Sequence, residues 1–281
     1  MSAAIRTKIV LQPPTGWISL EIGELWKRRE LLGLLALRDL KVRYKQTALG
    51  ALWAVLQPLL VMVIFDTLFG LLMGRDNKPT AAGIPYRLAL LAALLPWQMF
   101  ATTLTSAGNS LVNNTNLLQK VYFPRLLIPL STSLTAVVDF LVSLLVLFAM
   151  MPFYGIHPTW RLVLLPFFVL LTLMASLAMG LWIAALNVRY RDFKYIIPFM
   201  VQIGMFVSPV VYVSDVIPEQ WRDLYFLNPM AGAIAGCRWC LFSKQIISPV
   251  PVCISACMTV IGFYAAAIYF RRCEQVFADI A

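Results

Sequence analysis

Histidine is nearly absent, with His157 the single one in 281 residues. A metal or acid–base centre built on imidazoles is thereby excluded, since it needs several converging ligands or an oriented base. Acids are scarce too, 13 Asp and Glu against 23 Lys and Arg. No acidic pair clusters at a membrane face, as an integral glycosyltransferase would require. None of the 14 glycines is followed by lysine, so the Gly-Lys-Ser/Thr end of a phosphate-cradling P-loop is missing. The five cysteines make no disulfide framework. Cys253, Cys257 and Cys273 belong to the last apolar segment and its end, while Cys237 and Cys240 form a C-x-x-C outside any βαβ pattern. No catalytic residue, metal site or bound cofactor is expected, and the chain is not expected to be an enzyme. Residues 1–47 carry no short apolar core with a small-residue cleavage site, so no cleaved secretory signal is expected.

What remains is greasy. The chain is 60% hydrophobic and 13% charged, with a mean hydropathy of +0.79, whereas soluble domains carry about 25% charged residues. A net charge of +10 raises the question of nucleic acid. The basic residues cluster beside apolar runs, so the positive-inside rule explains them better and no nucleic-acid partner is expected. Arg38 to Leu60 is the organising stretch: Arg38, Lys41, Arg43 and Lys45 lead into an apolar run from Thr47 to Met73 broken mainly by Gln57 and Asp66. That pattern predicts a spanning helix whose start is held in the cytoplasm.

The fold class expected is all-α and integral to the membrane. Residues 1–47 read as a cytoplasmic tail and an amphipathic interface helix over Trp17–Tyr44, with Trp17 and Trp26 as anchors. Residues 48–281 read as a six-helix transmembrane domain, with spans near 48–73, 88–112, 126–153, 162–187, 195–213 and 249–270. With both termini inside, the cytoplasmic pieces hold sixteen of the 23 Lys and Arg, and the reverse orientation inverts that ratio. Residues 214–248 are too polar to span and too apolar for a solvated loop. Pro218 and Pro229 stand where helices begin, the second behind Asn228 as a cap. Helices over Pro218–Leu227 and Pro229–Phe242 are roughly 15 and 21 Å long, too short for ~30 Å of hydrocarbon, and should dip in and return. Such a re-entrant pair is tolerated when packed on protein or lining a cavity.

Asp66 and Asp139 lie inside apolar runs, where a charge is costly and suggests function unless it is paired. If ATP drives transport, another polypeptide must be the motor. Its best docking place is the loop 113–125, NNTNLLQKVYFPR, where asparagines turn the chain, Leu117 and Leu118 offer apolar contacts, and Pro124 starts the next helix.

RDLKVRYKQTALGALWAVLQPL, LLPWQMF, NNTNLLQKVYFPRLLIPLS, LNVRYRDFKYIIPF and LNPMAG occur in that order. Together they resemble the ABC-2 type permeases that export cell-surface polysaccharides, with the closest likeness to the O-antigen (Wzm-type) permeases. The likeness covers roughly residues 30 to 245. It implies a half-transporter working as a homodimer with two copies of a separate ABC ATPase, which binds ATP and Mg. It assigns ATPase coupling to the loop bearing Asn113, Asn116, Leu117, Leu118, Lys120, Tyr122 and Arg125. It assigns an outer gate to the short helices bearing Pro218, Trp221, Asn228, Pro229, Gly232 and Gly236. The implied substrate is a glycan on a lipid carrier, in a bacterial cytoplasmic membrane. Arg38, Arg43, Lys45, Arg189 and Arg191 are candidates for its anionic headgroup. Trp53, Phe65, Phe69, Trp97, Phe100, Phe206 and Tyr212 are candidates to line the channel, since rings give flat apolar faces for sugars. Alternatives within the architecture are a permease for teichoic acid, capsule, lipid or drug. Outside it stands an ion-coupled carrier using Asp66 and Asp139.

Overall fold

The computed structural model describes residues 22–45, 52–73, 83–115, 117, 123–190, 192–212, 217–242 and 248–274. Every regular element among them is helical: α1 (Ile22–Lys27), α2 (Arg29–Lys45), α3 (Leu52–Met73), α4 (Tyr86–Asn113), α5 (Leu127–Met150), α6 (Leu165–Arg189), α7 (Phe193–Val207), α8 (Glu219–Tyr225), α9 (Pro229–Leu241) and α10 (Pro249–Glu274). Short 3₁₀ turns, Met151–Tyr154 and Trp160–Leu164, extend α5 and lead into α6. With those turns, four helices among the described residues are long and apolar enough to cross a membrane: Tyr86–Asn113, Leu127–Tyr154, Trp160–Arg189 and Pro249–Glu274.

α4 is the centre. Its alanines at 89, 92, 93, 101 and 107 let neighbouring backbones approach, which matters in lipid because apolar burial there gives no drive. α3, α5, α6, α7 and α9 all pack against it. A separate apolar cluster gathers at the end where α4 finishes and α5 begins. It holds Leu111, Phe123, Leu126, Leu127, Leu181 and Phe270, with Leu25, Leu31 and Leu32 from α1 and α2 packed onto it.

Three boundaries differ from the expectation. The expected helix over Trp17–Tyr44 is interrupted at Arg28, between α1 and α2; residues 17–21 lie outside the described part. α5 begins at Leu127, after a turn at Arg125–Leu126, and not at Pro124. α7 stops at Val207, where Ser208 adopts an extended backbone ahead of Pro209, so it is 15 residues long and not the 19 of 195–213. At 1.5 Å per residue it measures roughly 22 Å.

Candidate functional site

The two short helices form where their prolines and caps place them. Pro218 precedes α8 and Pro229 opens α9. Asn228 Oδ1 accepts from the Met230 N–H at 3.0 Å, and its Nδ2 donates to Ser208 Oγ at 3.0 Å. α9 is almost wholly buried. Its N–H at Gly232 donates to Ser255 Oγ (3.1 Å), and that hydroxyl donates to the Phe226 carbonyl (2.6 Å) at the end of α8. A Cβ at Gly232 would lie 2.4 Å from that of Ser255, and one at Gly236 would lie 2.0 Å from the Phe168 ring. Both glycines therefore face α10 and α6 of their own chain. Trp221, by contrast, is 56% exposed.

Arg238 holds this assembly together. It is 2% exposed, in the last turn of an apolar helix. Its Nε donates to the Ala89 carbonyl (2.9 Å), Nη1 to those of Pro209 and Tyr212 (both 2.9 Å), and Nη2 to that of Val210 (2.8 Å). One guanidinium thus ties α9, α4 and the turn that ends α7, using the fork geometry that only arginine has. Sequence reasoning passed over this residue. Its signal was a lone arginine within the apolar stretch AGAIAGCRWCLF, where a charge is costly unless it is held by partners.

Beneath that turn lies an apolar cavity of about 660 Å³ walled by α4, α6, α7, α10 and the α8–α9 turn. Trp97 and Phe100, 5.1 Å apart by ring centroids, contribute to it together with Trp182, Phe199 and Ile203. The predicted aromatics separate here. Trp97 and Phe100 are buried, Phe65 is half-buried against the core, and Trp53 and Phe206 are 52% and 56% exposed. Tyr212 bonds the Tyr225 hydroxyl at 3.0 Å. The Phe69 side chain lies outside the described part.

Both acids of the apolar runs are paired. Asp66 accepts from Arg87 Nε at 2.6 Å. Asp139, half-way along α5, meets Arg43 Nη2 at 2.6 Å and the Tyr44 hydroxyl. Burial, and then the bond to Asp139, push the Tyr44 hydroxyl up to about 12, so it stays protonated and donates. α2 therefore lies along the first half of α5, some twelve residues or ~18 Å of helix. Removing one partner of such a pair costs more than removing both, because a lone buried charge is left behind. Asp139→Leu is expected to lower the heat resistance of detergent-extracted protein, and adding Arg43→Met to restore most of it. An additive loss in the double variant would show that the pair does not hold α2.

Of the other basic candidates, Arg38 bonds Asp39 (2.8 Å) and Asn114 Oδ1 (3.0 Å), and Lys45 is exposed. Arg189 ends α6 with its guanidinium 5.4 Å from the Tyr190 ring. Arg191 lies outside the described residues, as do Asn116, Leu118, Lys120 and Tyr122 of the loop. Asn113 is exposed, Leu117 is half-buried against the loop-end cluster, and Arg125 is held by Glu274.

A helical bundle with several membrane-length apolar helices and a pair of short helices between the last two long ones is the form of an integral membrane protein. Residues 30–242 match the ABC-2 type transporter family, and the chain belongs to it. It is 32% identical to the O-antigen export system permease protein RfbA of Myxococcus xanthus, over 92% of this chain and 98% of that one. It is 30% identical to the RfbA of Klebsiella pneumoniae over 89% and 95%. The polysialic acid transport protein KpsM of Escherichia coli is 22% identical over 86% and 92%.

Proposed function

We propose that this chain is the permease subunit of an ATP-driven exporter of lipid-linked polysaccharide, O-antigen or a related surface glycan. One observation carries this: relatives named as O-antigen export permeases align with it over nearly their whole length, 98% and 95%. The membrane is the bacterial cytoplasmic membrane, with both termini on the cytoplasmic side. α3, α4, α5, α6 and α10, with α7 continued by the turn behind it to Tyr212 (Phe193–Tyr212), are the six spans of the domain 48–281, and α8 with α9 form the re-entrant insert within 214–248. The brevity of those two helices, 7 and 13 residues, supports that reading, since neither reaches across ~30 Å. A cysteine in place of Glu219 should react with an impermeant reagent added outside; protection there would overturn the topology.

The transporter is a homodimer, and α7 supports this. Tyr195, Phe199, Ile203 and Phe206 on it are exposed, with Ile197 alone buried, an apolar face that suits a second copy across a channel. Two copies of a separate ATPase bind ATP and Mg and dock on the loop 113–125 and the residues named for it above. Arg38, Lys45, Arg189 and Arg191 serve the anionic lipid headgroup, Arg43 being held by Asp139 half-way along α5, and the exposed and cavity-lining aromatics meet the sugar chain. α8 and α9 close the outer side.

The deciding experiment is copurification. An ATP-binding subunit should come down with the tagged chain, and Leu118→Asp should release it while leaving membrane insertion unchanged, because a charge replaces an apolar contact. Cells without the chain should hold lipid-linked glycan on the cytoplasmic leaflet. Stranding of a free lipid or drug instead would favour the second reading of the family. An intact complex in the Leu118→Asp variant would move the docking place elsewhere.

A further inference from the structure

The last described turn of α10 lies against the loop proposed as the ATPase dock. Glu274 closes α10, and its Oε1 accepts the backbone N–H of Arg125 at 3.0 Å. The Arg125 guanidinium donates back to the Glu274 carbonyl at 3.0 Å, and Arg271 lies 3.9 Å from the Glu274 carboxylate. At the other end of the loop Arg38 donates to Asn114 Oδ1. The loop is therefore held where it leaves α4 by α2, and where it joins α5 by α10. Phe270, fully buried one turn before Glu274, belongs to the same apolar cluster as Phe123. A carboxylate accepting a backbone N–H makes a charge-assisted bond, about twice as strong as a neutral one.

The opposite end of α10 is fixed as firmly. Ser255, in its second turn, holds Gly232 of α9 and the Phe226 carbonyl at the end of α8. Ser255 and Glu274 are nineteen residues apart on one unbroken helix, a rod of roughly 29 Å. We propose that Glu274 is a positioning residue for energy coupling. It clamps the α5 end of the docking loop to α10, so that motion of the loop reaches α8 and α9 through the rod and Ser255. The inference rests on the reading of 113–125 as the ATPase dock. Coupling through a rigid element is an energetic claim and is settled by measuring whether its two ends interact.

The experiment uses the complete transporter, permease with its ATPase, in proteoliposomes, and reads glycan moved per ATP hydrolysed, normalised to assembled complex. Glu274→Ala removes the acceptor for the Arg125 N–H; Glu274→Gln keeps an oxygen there. Glu274→Ala is expected to lower transport per ATP about ten-fold, the scale of one bond to a charged group, with the ATPase still bound. Glu274→Gln should recover most of it. Ser255→Ala should lower the same ratio, and the double variant should be no worse than the poorer single one. The proposal is overturned if Glu274→Ala transports like the parent. It is also overturned if Ala and Gln fail alike in step with lost assembly, or if the two losses multiply as independent effects. The docking reading fails separately, when Leu118→Asp leaves the ATPase bound whatever Glu274 does.

Discussion

Gly236→Leu is expected to remove assembled permease from the membrane rather than to open a leak through it. At Gly236 even a methyl group would sit 2.0 Å from the edge of the Phe168 ring, far inside contact distance. Leucine adds three further carbons, so either α9 or the ring of Phe168 must leave its place. Overpacking a tight core costs about 1–3 kcal/mol where the neighbours yield, and here they yield badly. Phe168 is 6% exposed, and α9 cannot back away without stretching the bonds of Arg238. The loss should exceed ~3 kcal/mol for leucine and show as low yield and aggregation after mild heating in detergent. Gly236→Ala should behave the same way in milder form. Adding Phe168→Ala to it should recover heat resistance, since the colliding ring is then gone. A Gly236→Leu protein that accumulates normally, resists heat normally and leaks ions would show instead that the glycine faces an open seal.

The expectation that small residues in α9 permit close approach was legible from AGAIAG, but not what approaches them. A run of Gly and Ala states that something must come near. It does not say whether that is a second subunit or, as here, Ser255 and Phe168 of the same chain. The short-helix pair was readable for a local reason. Pro218, Asn228 and Pro229 fix helix starts by backbone geometry alone, and α8 and α9 lie within one or two residues of the expected bounds. The grip of Glu274 on Arg125 was not readable, because the two residues are 149 positions apart. Asp139 stands between: its cost in an apolar run pointed to a partner, but Arg43 and Tyr44 emerged only once α2 lay along α5. Two of the arginines offered for a lipid headgroup, Arg38 and Arg43, are engaged with Asp39, Asn114 and Asp139. Sequence places such charges at the mouth without telling which already have work inside the protein.

Arg238→Met is expected to abolish export, and by a different route from the glycine change. Methionine matches the length and flexibility of the arginine stem, so the packing of α9 is largely kept. What disappears are the four donors to Ala89, Pro209, Val210 and Tyr212. The carbonyls of Pro209 and Val210, both buried, and of half-buried Tyr212 then lose their partner, and each unsatisfied buried acceptor costs about 1–3 kcal/mol. Because the bonds share one group, their loss does not add simply, and a total on the order of 4 kcal/mol is expected. The damage should be local to the junction of α7 and α9. Hydrogen exchange should rise first over 208–212 and the start of α9, while α4 and α5 stay protected. Arg238→Lys decides whether charge or geometry is at work. An ammonium carries the same charge but presents three donors from one point, on a shorter reach, and cannot span carbonyls on two sides as the guanidinium fork does. Lysine should therefore restore less than half of the lost heat resistance and little of the export. Full recovery by lysine would mean that a positive charge at this depth, rather than the staple, is what the protein uses.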